Sequence, residues 1–207
     1  MKCSILIQWV FYLLFFGLIS GCASRPPSAS AQTNICDVIA HEPNWYRAAK
    51  ASEQRWGTSV AIQKAFVQQE SAFVHNARPP RPYFLGFVPL PRQSSAYGYA
   101  QAQDGTWKDY QQATGRRFAS RTNMDDALDF IGWYNAESQR RNGVSLQDAY
   151  HLYLNYHEGH GGFRRRTYEA KPWLMQVARR VEQQAARYEQ QLPNCRLPSR
   201  WCVWPYC

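Results

Sequence analysis

Hydrophobic residues recur along the chain at the three- and four-residue spacing of amphipathic helices. The pattern predicts a first helix over residues 45–56, with Asn44 as its N-cap. A second helix is predicted to begin after Thr58 or Ser59 and to weaken after Val74. Its apolar positions are Ile62, Ala65, Phe66 and Phe73.

Four further helices are predicted in the second half of the chain. They run from Gly105 to Thr114, from Met124 to Asn142, from Ser145 into the glycine-rich NYHEGHGG, and from Pro172 to Tyr188. The helix from Met124 to Asn142 carries the clearest signals, because Asn123 is a suitable N-cap and acidic residues occupy its first turn. Arginines in its last turn match the opposite end of the helix dipole.

Residues 78–92, RPPRPYFLGFVPLPR, interrupt the helical pattern with five prolines. Proline removes a backbone donor and clashes inside a helix, so this segment is predicted to be an ordered loop. No β-strand is predicted. The expected fold class is mostly α: one helical domain over residues 35–192, followed by a Cys-rich tail, 193–207, packed on it.

Glu70 lies on the apolar face of the second predicted helix, four residues after Phe66 and three before Phe73. A carboxyl group among apolar side chains has a raised pKa and can keep its proton near neutrality, as a general acid must. The alternative is that the helix frays near Val74 and leaves Glu70 solvated and inert.

Residues 1–21 have the features of a signal peptide. Lys2 is followed by an apolar run from Ile5 to Ile19 and by the small pair Ser20 and Gly21. A short membrane anchor that stays in place is the alternative, although no basic cluster follows the run.

Ile19-Ser20-Gly21-Cys22 resembles the lipobox of bacterial lipoproteins. That resemblance implies acyl chains on Cys22 that attach the protein to a membrane, and Ala23 after the cysteine favours the outer membrane. The expected location is the periplasmic face of that membrane. Residues 22–34 are rich in Ser, Pro and Ala and are predicted to be a flexible tether.

The predicted export is also consistent with the number of cysteines in the chain. Once Cys3 and Cys22 are set aside, the even set Cys36, Cys195, Cys202 and Cys207 is suited to two disulfides in an oxidising compartment. Three pairings are possible, and we favour Cys36 with Cys195 and Cys202 with Cys207. Free thiols are the alternative. A zinc site is not expected, because no paired CxxC spacing is present.

The chain of 207 residues has 24 basic and 15 acidic side chains, a net charge of +9. This excess favours polyanionic partners such as nucleic acid, anionic lipid or a polymer that bears carboxylates. Nucleic acid is not expected after export, so a lipid surface or a wall polymer remains.

Three short motifs occur in order: Gln69-Glu70-Ser71-Ala72-Phe73, Ala96-Tyr97-Gly98-Tyr99-Ala100-Gln101, and Asn155-Tyr156-His157-Glu158-Gly159-His160-Gly161. Together they resemble the motifs of the lysozyme-like SLT lytic transglycosylase domain, which usually read E-S, G-L-M-Q and A-Y-N-A-G-x-G. The resemblance covers roughly residues 45–165.

The resemblance implies a role for particular residues. Glu70 matches the single catalytic acid and base, Gln101 the glutamine that supports the sugar-binding groove, and Tyr156 the tyrosine that faces the catalytic glutamate. Ser95, or its neighbour Ser94, is the nearest match to the substrate-contacting serine of the family.

The sequence also departs from the family pattern. Tyr99 and Ala100 replace Leu-Met, His157 replaces Asn, and Glu158 replaces Ala. The stretch between Glu70 and Gly98 is longer than usual, so the proline-rich insertion is expected to reshape or gate the groove. Five aromatic residues are candidates for the groove wall, with Tyr99 and Tyr156 favoured and core packing as the alternative for the rest: Tyr97, Tyr99, Trp107, Tyr153 and Tyr156.

The implied reaction cleaves the bond between N-acetylmuramic acid and N-acetylglucosamine in peptidoglycan and leaves a 1,6-anhydro end. No cofactor is expected. A hydrolase would need a second carboxylate, for which Asp104 and Glu158 are the candidates. Glu158 is also a candidate for substrate binding. The basic run at residues 164–166 is expected either to meet peptide-stem carboxylates or to be a solvated loop.

Two other classes compete with this interpretation. His151, His157 and His160 with Glu158 offer the ligands and base of a metallohydrolase, but HEGH lacks the HExxH spacing. A lipoprotein that binds the wall without catalysis, as part of an envelope machine, is the second alternative.

Overall fold

A computed structural model describes residues 25–197. Most of this range is helical, which confirms the mostly α fold class. The helices are α1 (Ile35–His41), α2 (Pro43–Trp56), α3 (Val60–Ser71), α4 (Asp104–Thr114), α5 (Met124–Asn142), α6 (Ala149–Arg164) and α7 (Pro172–Gln191). Short 3-10 helices lie at Ala31–Thr33, Thr167–Ala170 and Leu192–Asn194.

Several helices of the described residues begin where a side chain caps the first turn, and the position of that cap decides whether the predicted start was right. α5 begins and ends as predicted, and the Asn123 side chain accepts from the backbone N–H groups of Asp125 and Asp126. α2 begins before the predicted Asn44 cap, because the Glu42 side chain caps it and a proline occupies its first position. α6 begins four residues after the predicted Ser145, where Asp148 accepts from the N–H of His151, and it is interrupted at Gly159, whose φ of 72° and ψ of 159° are not helical.

The expectation of no strands was wrong for the proline-rich insertion. Tyr83–Phe84 (β1) and Val88–Pro89 (β2) form a short antiparallel hairpin that turns through Leu85 and Gly86, both with positive φ. Its apolar side chains face solvent, and Leu85 and Phe87 are 71% and 72% exposed. The five prolines therefore exclude helix but permit a two-residue ladder.

α3 is the central helix of the domain. It packs against α2, α5 and α7, and every residue from Val60 to Val67 is buried. A helix surrounded on all sides does not need a narrow apolar stripe. Even Lys64 is 1% exposed, with its ammonium 5.4 Å from the centre of the Trp45 ring, and burial lowers the pKa of Lys64 to about 7.

The long helices α2 and α5 approach closely at Gly132. A Cβ atom at this position would collide with Ser52 and Trp56 of α2. The Ser52 hydroxyl donates to the Leu128 carbonyl at 2.9 Å, and buried Asp129 accepts from the Trp56 indole at 2.8 Å. This contact holds α2 and α5 together, and α3 packs against both helices.

The two ends of the domain are joined by the Cys36–Cys195 disulfide, as predicted. The chain before α1 also packs on the domain. Gln32, within the predicted tether, is buried and bonds to α3 and α7. The folded unit thus begins before the expected Ile35.

Several predictions lie outside the described residues. These are the signal peptide at 1–21, lipidation of Cys22, the Cys202–Cys207 pairing and most of the tail at 193–207. Between residues 25 and 197, none of the helices combines the length and the apolar character needed to cross a membrane.

Replacement of both Cys36 and Cys195 by serine is expected to lower the free energy of unfolding by about 2–5 kcal/mol. The bond links positions 159 residues apart, so its loss frees a long loop in the unfolded chain. Thermal unfolding of the purified wild-type and double-variant proteins measures the change. Equal midpoints would show that the packed ends hold without the bond.

Candidate active site

Glu70 is the last residue but one of α3, and its half-buried side chain can be reached from solvent. Burial of the carboxyl group raises the pKa of Glu70 to about 7, and a hydrogen bond with Tyr153 acts in the opposite direction. Both protonation states are therefore accessible near neutrality. A group with these properties can donate and later accept a proton.

Two tyrosines of α6 lie beside Glu70. Tyr153 and Tyr156 both pack edge-on against Phe66, with ring centres 5.3 and 5.4 Å away. Burial, together with the nearby Glu70 charge, raises both phenol pKa values above their ordinary range. The phenols therefore stay protonated and act as donors.

Tyr153, not Tyr156, hydrogen-bonds to Glu70. The Tyr156 hydroxyl donates instead to the Ala100 carbonyl, and so connects α6 to the turn that carries Gln101. The motif comparison singled out Tyr156 alone as the facing residue. Tyr153 precedes Tyr156 by three residues and so lies on the same face of the helix, and this spacing could have identified it as a second neighbour of Glu70.

The chain turns sharply after Glu70. Ala72 and Phe73 have φ angles of 49° and 61°, which non-glycine residues seldom adopt. Phe73 is fully buried and stacks on Trp45, with ring centres 5.6 Å apart. The Gln32 amide donates to the Ala72 carbonyl at 3.2 Å. These contacts fix the end of the helix that positions Glu70.

Gln101 braces the second motif. Its amide nitrogen donates to the carbonyls of Ala77, at 2.9 Å, and Gly98, at 2.8 Å. Gly98 has a φ of 78°, and a Cβ atom there would collide with the backbone of Arg121. Gln101 thus holds the turn at residues 97–102.

Two residues expected to contact substrate are buried instead. Tyr99 is 2% exposed and meets the Trp45 ring edge-on at 5.8 Å. The Glu158 side chain is 4% exposed and pairs with Lys171 at 2.7 Å. Burial acts to raise the pKa of Glu158, but hydrogen bonds from Lys171 and Thr167 outweigh it and the pKa is lowered. The packing of both side chains argues against direct contact with a sugar.

The remaining polar candidates lie around the start of α4. The Ser95 hydroxyl accepts from the Asp104 N–H at 3.1 Å, and the Asp104 carboxylate pairs with Arg121 at 2.7 Å. In the basic run at residues 164–166, Arg166 pairs with Glu169 at 3.0 Å. None of these contacts involves Glu70.

The three histidines of α6 point to different partners. Within residues 25–197, no three or more His, Cys, Asp or Glu side chains are grouped so that they can hold a metal ion. Each imidazole instead has a neighbour of its own: Asp148 for His151, Glu158 for His157 and Ser138 for His160.

One comparison with known proteins gives a match, and a second gives none. A family model described as the transglycosylase SLT domain matches residues 10–195, which is most of the chain. A search of curated proteins finds no match.

Glu70→Gln is expected to stabilise the fold at pH 8 and to leave it almost unchanged at pH 4. The folded state raises the pKa of Glu70 from 4.5 to about 7, so it retains a proton that the unfolded chain releases. This contribution to stability is complete below pH 4.5 and is lost as the pH rises through 7. The Gln side chain does not ionise, so the variant avoids that loss. Its free energy of unfolding at pH 8 is expected to exceed that of the wild type by about 1–3 kcal/mol.

Denaturant unfolding at the two pH values measures this difference. Glu189→Gln, on the exposed face of α7, is the matched control and should show no such dependence on pH. A gain from Glu70→Gln that is the same at both pH values would contradict a raised pKa.

Proposed function

We propose that this chain, which belongs to the transglycosylase SLT domain family, uses Glu70 as the single acid and base of a lytic transglycosylase. The family cleaves glycosidic bonds, and its substrate is peptidoglycan. The observation that carries the proposal is the half-buried Glu70 carboxyl, with its pKa raised to about 7 and a tyrosine donor beside it.

The proposed reaction begins with protonated Glu70. Its proton passes to the glycosidic oxygen between N-acetylmuramic acid and N-acetylglucosamine while the muramyl ring gains oxocarbenium character. The carboxylate then accepts the proton of the C6 hydroxyl on the same muramyl residue, and that oxygen bonds to C1. The products are a 1,6-anhydro end and a free C4 hydroxyl. Glu70 regains its proton, and no water is consumed.

Tyr153 supports the second half of this cycle. Its hydroxyl donates to the carboxylate form of Glu70, and this stabilises the anion that must exist between the two proton transfers. Burial favours the protonated form of Glu70, and the hydrogen bond from the Tyr153 phenol favours its carboxylate form. Their balance keeps the pKa close to neutrality, where both steps can proceed.

The surroundings of Glu70 favour this route over hydrolysis. A hydrolase uses a second carboxylate to activate water or to stabilise the cation. The two candidates in the described part of the chain are engaged elsewhere, Asp104 with Arg121 and Glu158 with Lys171. The groups that shift the pKa of Glu70 are its own surroundings and Tyr153, not another acid.

We propose further that the enzyme acts from the outer membrane. The basis is the sequence alone, in which Cys22 ends a lipobox-like tetrapeptide after an apolar segment. Acyl chains on Cys22 would hold the domain at the membrane surface, within reach of the wall. This location brings the catalyst to a substrate that is too large to diffuse.

Digestion of purified sacculi followed by mass spectrometry tests the reaction. The wild-type protein is expected to release anhydromuropeptides, and Glu70→Gln to reduce the rate about 100-fold or more, because the amide carries no transferable proton. Glu189→Gln should retain the wild-type rate. Reducing ends would identify a hydrolase instead, and a protein that binds sacculi without any product would be a non-catalytic wall-binding protein.

Tyr153→Phe is expected to move the alkaline limb of kcat/KM to higher pH. Activity falls as Glu70 loses its proton, and removal of the phenol donor raises the pKa of Glu70 further. A shift of about 1–2 pH units corresponds to the loss of one hydrogen bond to a charged group. Tyr156→Phe is the control, since its hydroxyl bonds to Ala100. An unmoved limb in Tyr153→Phe would show that the phenol does not stabilise the Glu70 carboxylate.

A further inference from the structure

A cleft of about 400 Å³ lies at the base of the hairpin insertion. One side is formed by the two arms of the insertion and the other by the turn that leads to Gln101. Its lining contains four arginines: Arg78, Arg81, Arg92 and Arg121. Asp104 is the single acidic side chain among the described residues of the lining.

Three of the four arginines are held in place. The Arg121 guanidinium donates to the carbonyls of Ser95, at 3.2 Å, and Ala102, at 2.9 Å. Arg78 lies 4.2 Å from the centre of the Tyr97 ring, on which Arg121 also stacks at 5.4 Å. Arg92 donates through Nε to the Pro79 carbonyl at 3.0 Å. Preorganised guanidinium groups lose little conformational entropy when they bind an anion.

The charges in the cleft are not balanced within it. The Asp104 carboxylate is already paired with Arg121 at 2.7 Å. Arg78 and Arg81 are exposed, and the paired aspartate offsets one of four positive charges. A half-open cleft with such an excess attracts a carboxylate or a phosphate, and guanidinium groups can bind either in bidentate geometry.

The cleft is connected to Glu70 through a single turn. Tyr97 of the cleft pairs with Ala102 across the turn at residues 97–102. The Ala100 carbonyl of that turn accepts from Tyr156, whose phenol lies near enough to Glu70 for the Glu70 charge to raise the phenol pKa. The cleft and the surroundings of Glu70 thus share the turn at residues 97–102, and a glycan strand that runs from Glu70 along this turn would reach the arginines.

We propose that this arginine cleft binds a carboxylate carried by the muramyl residues of the glycan strand. The inference rests on the proposed function, because it assumes that a glycan strand lies at Glu70. Two carboxylate sources have the same chemistry: the peptide stem, and the lactyl group that remains when the stem is removed. Either one would position the muramyl ring beside the acid, and so would select muramyl-containing strands over uncharged glycans of the same length.

Binding to soluble tetrasaccharides of alternating N-acetylglucosamine and N-acetylmuramic acid, with and without stems, tests the proposal. Every measurement uses the Glu70→Gln protein, so that no turnover occurs and affinity is read independently of catalysis. Arg81→Glu is expected to weaken binding about tenfold or more, and Arg78→Gln, which leaves the backbone contacts of the cleft intact, to weaken it by a smaller factor. Arg47 is an exposed residue of α2, so Arg47→Glu makes the same charge change away from the cleft. This variant should bind like the parent Glu70→Gln protein.

The two ligands distinguish the carboxylate source. A loss confined to the stem-bearing tetrasaccharide assigns the cleft to the stem carboxylates. A loss confined to the stem-free one assigns it to the lactyl carboxylate, which is an amide while the stem is attached. Equal losses with both show that the cleft binds either carboxylate. Parent-like affinity of Arg81→Glu and Arg78→Gln for both ligands overturns the inference, as does equally tight binding by the parent of an uncharged chitin tetrasaccharide. Failure of the wild-type protein to cleave sacculi would instead count against the proposed function.

Discussion

The placement of the catalytic candidate depends on the stacking of Phe73 on Trp45. Ala72 and Phe73, the second and third residues after Glu70, adopt the left-handed conformation at a cost of about 1–3 kcal/mol each. The buried Phe73 ring offsets this cost, because the turn is what brings that ring into the core. Helix α3 therefore ends one residue beyond Glu70, and the carboxyl group is left at the edge of the core, neither sealed within it nor free in solvent.

The same burial determines the chemistry of α3 at two points. At Glu70 it disfavours the anion and raises the pKa, and at Lys64 it disfavours the cation and lowers the pKa. Only Glu70 lies where a substrate can reach it, since Lys64 is enclosed beneath the Trp45 ring. The difference between the two residues is therefore access, which depends on where the helix stops.

The sequence contained enough information for six of the seven α-helices of the described residues and for the placement of Glu70 among apolar side chains. The α5 helix was predicted to the residue because its cap, dipole charges and terminal glycine are all local. The positions of Tyr153, Gln32 and the hairpin were not predictable in this way. Each depends on which helices meet in three dimensions, and α1 was missed because seven residues carry too short a periodic signal. Tyr99 and Glu158 were misjudged for the same reason, since exposure is a property of the fold.

The Cys36–Cys195 bond makes a covalent ring of nearly the whole folded unit, with Glu70, the hairpin and Gln101 all inside it. A protease that severs the exposed hairpin once would open this ring without releasing either fragment. The nicked protein would remain one molecule, with Glu70 and the turn at residues 97–102 still joined through the disulfide. Damage at this exposed hairpin thus need not separate the parts of the site.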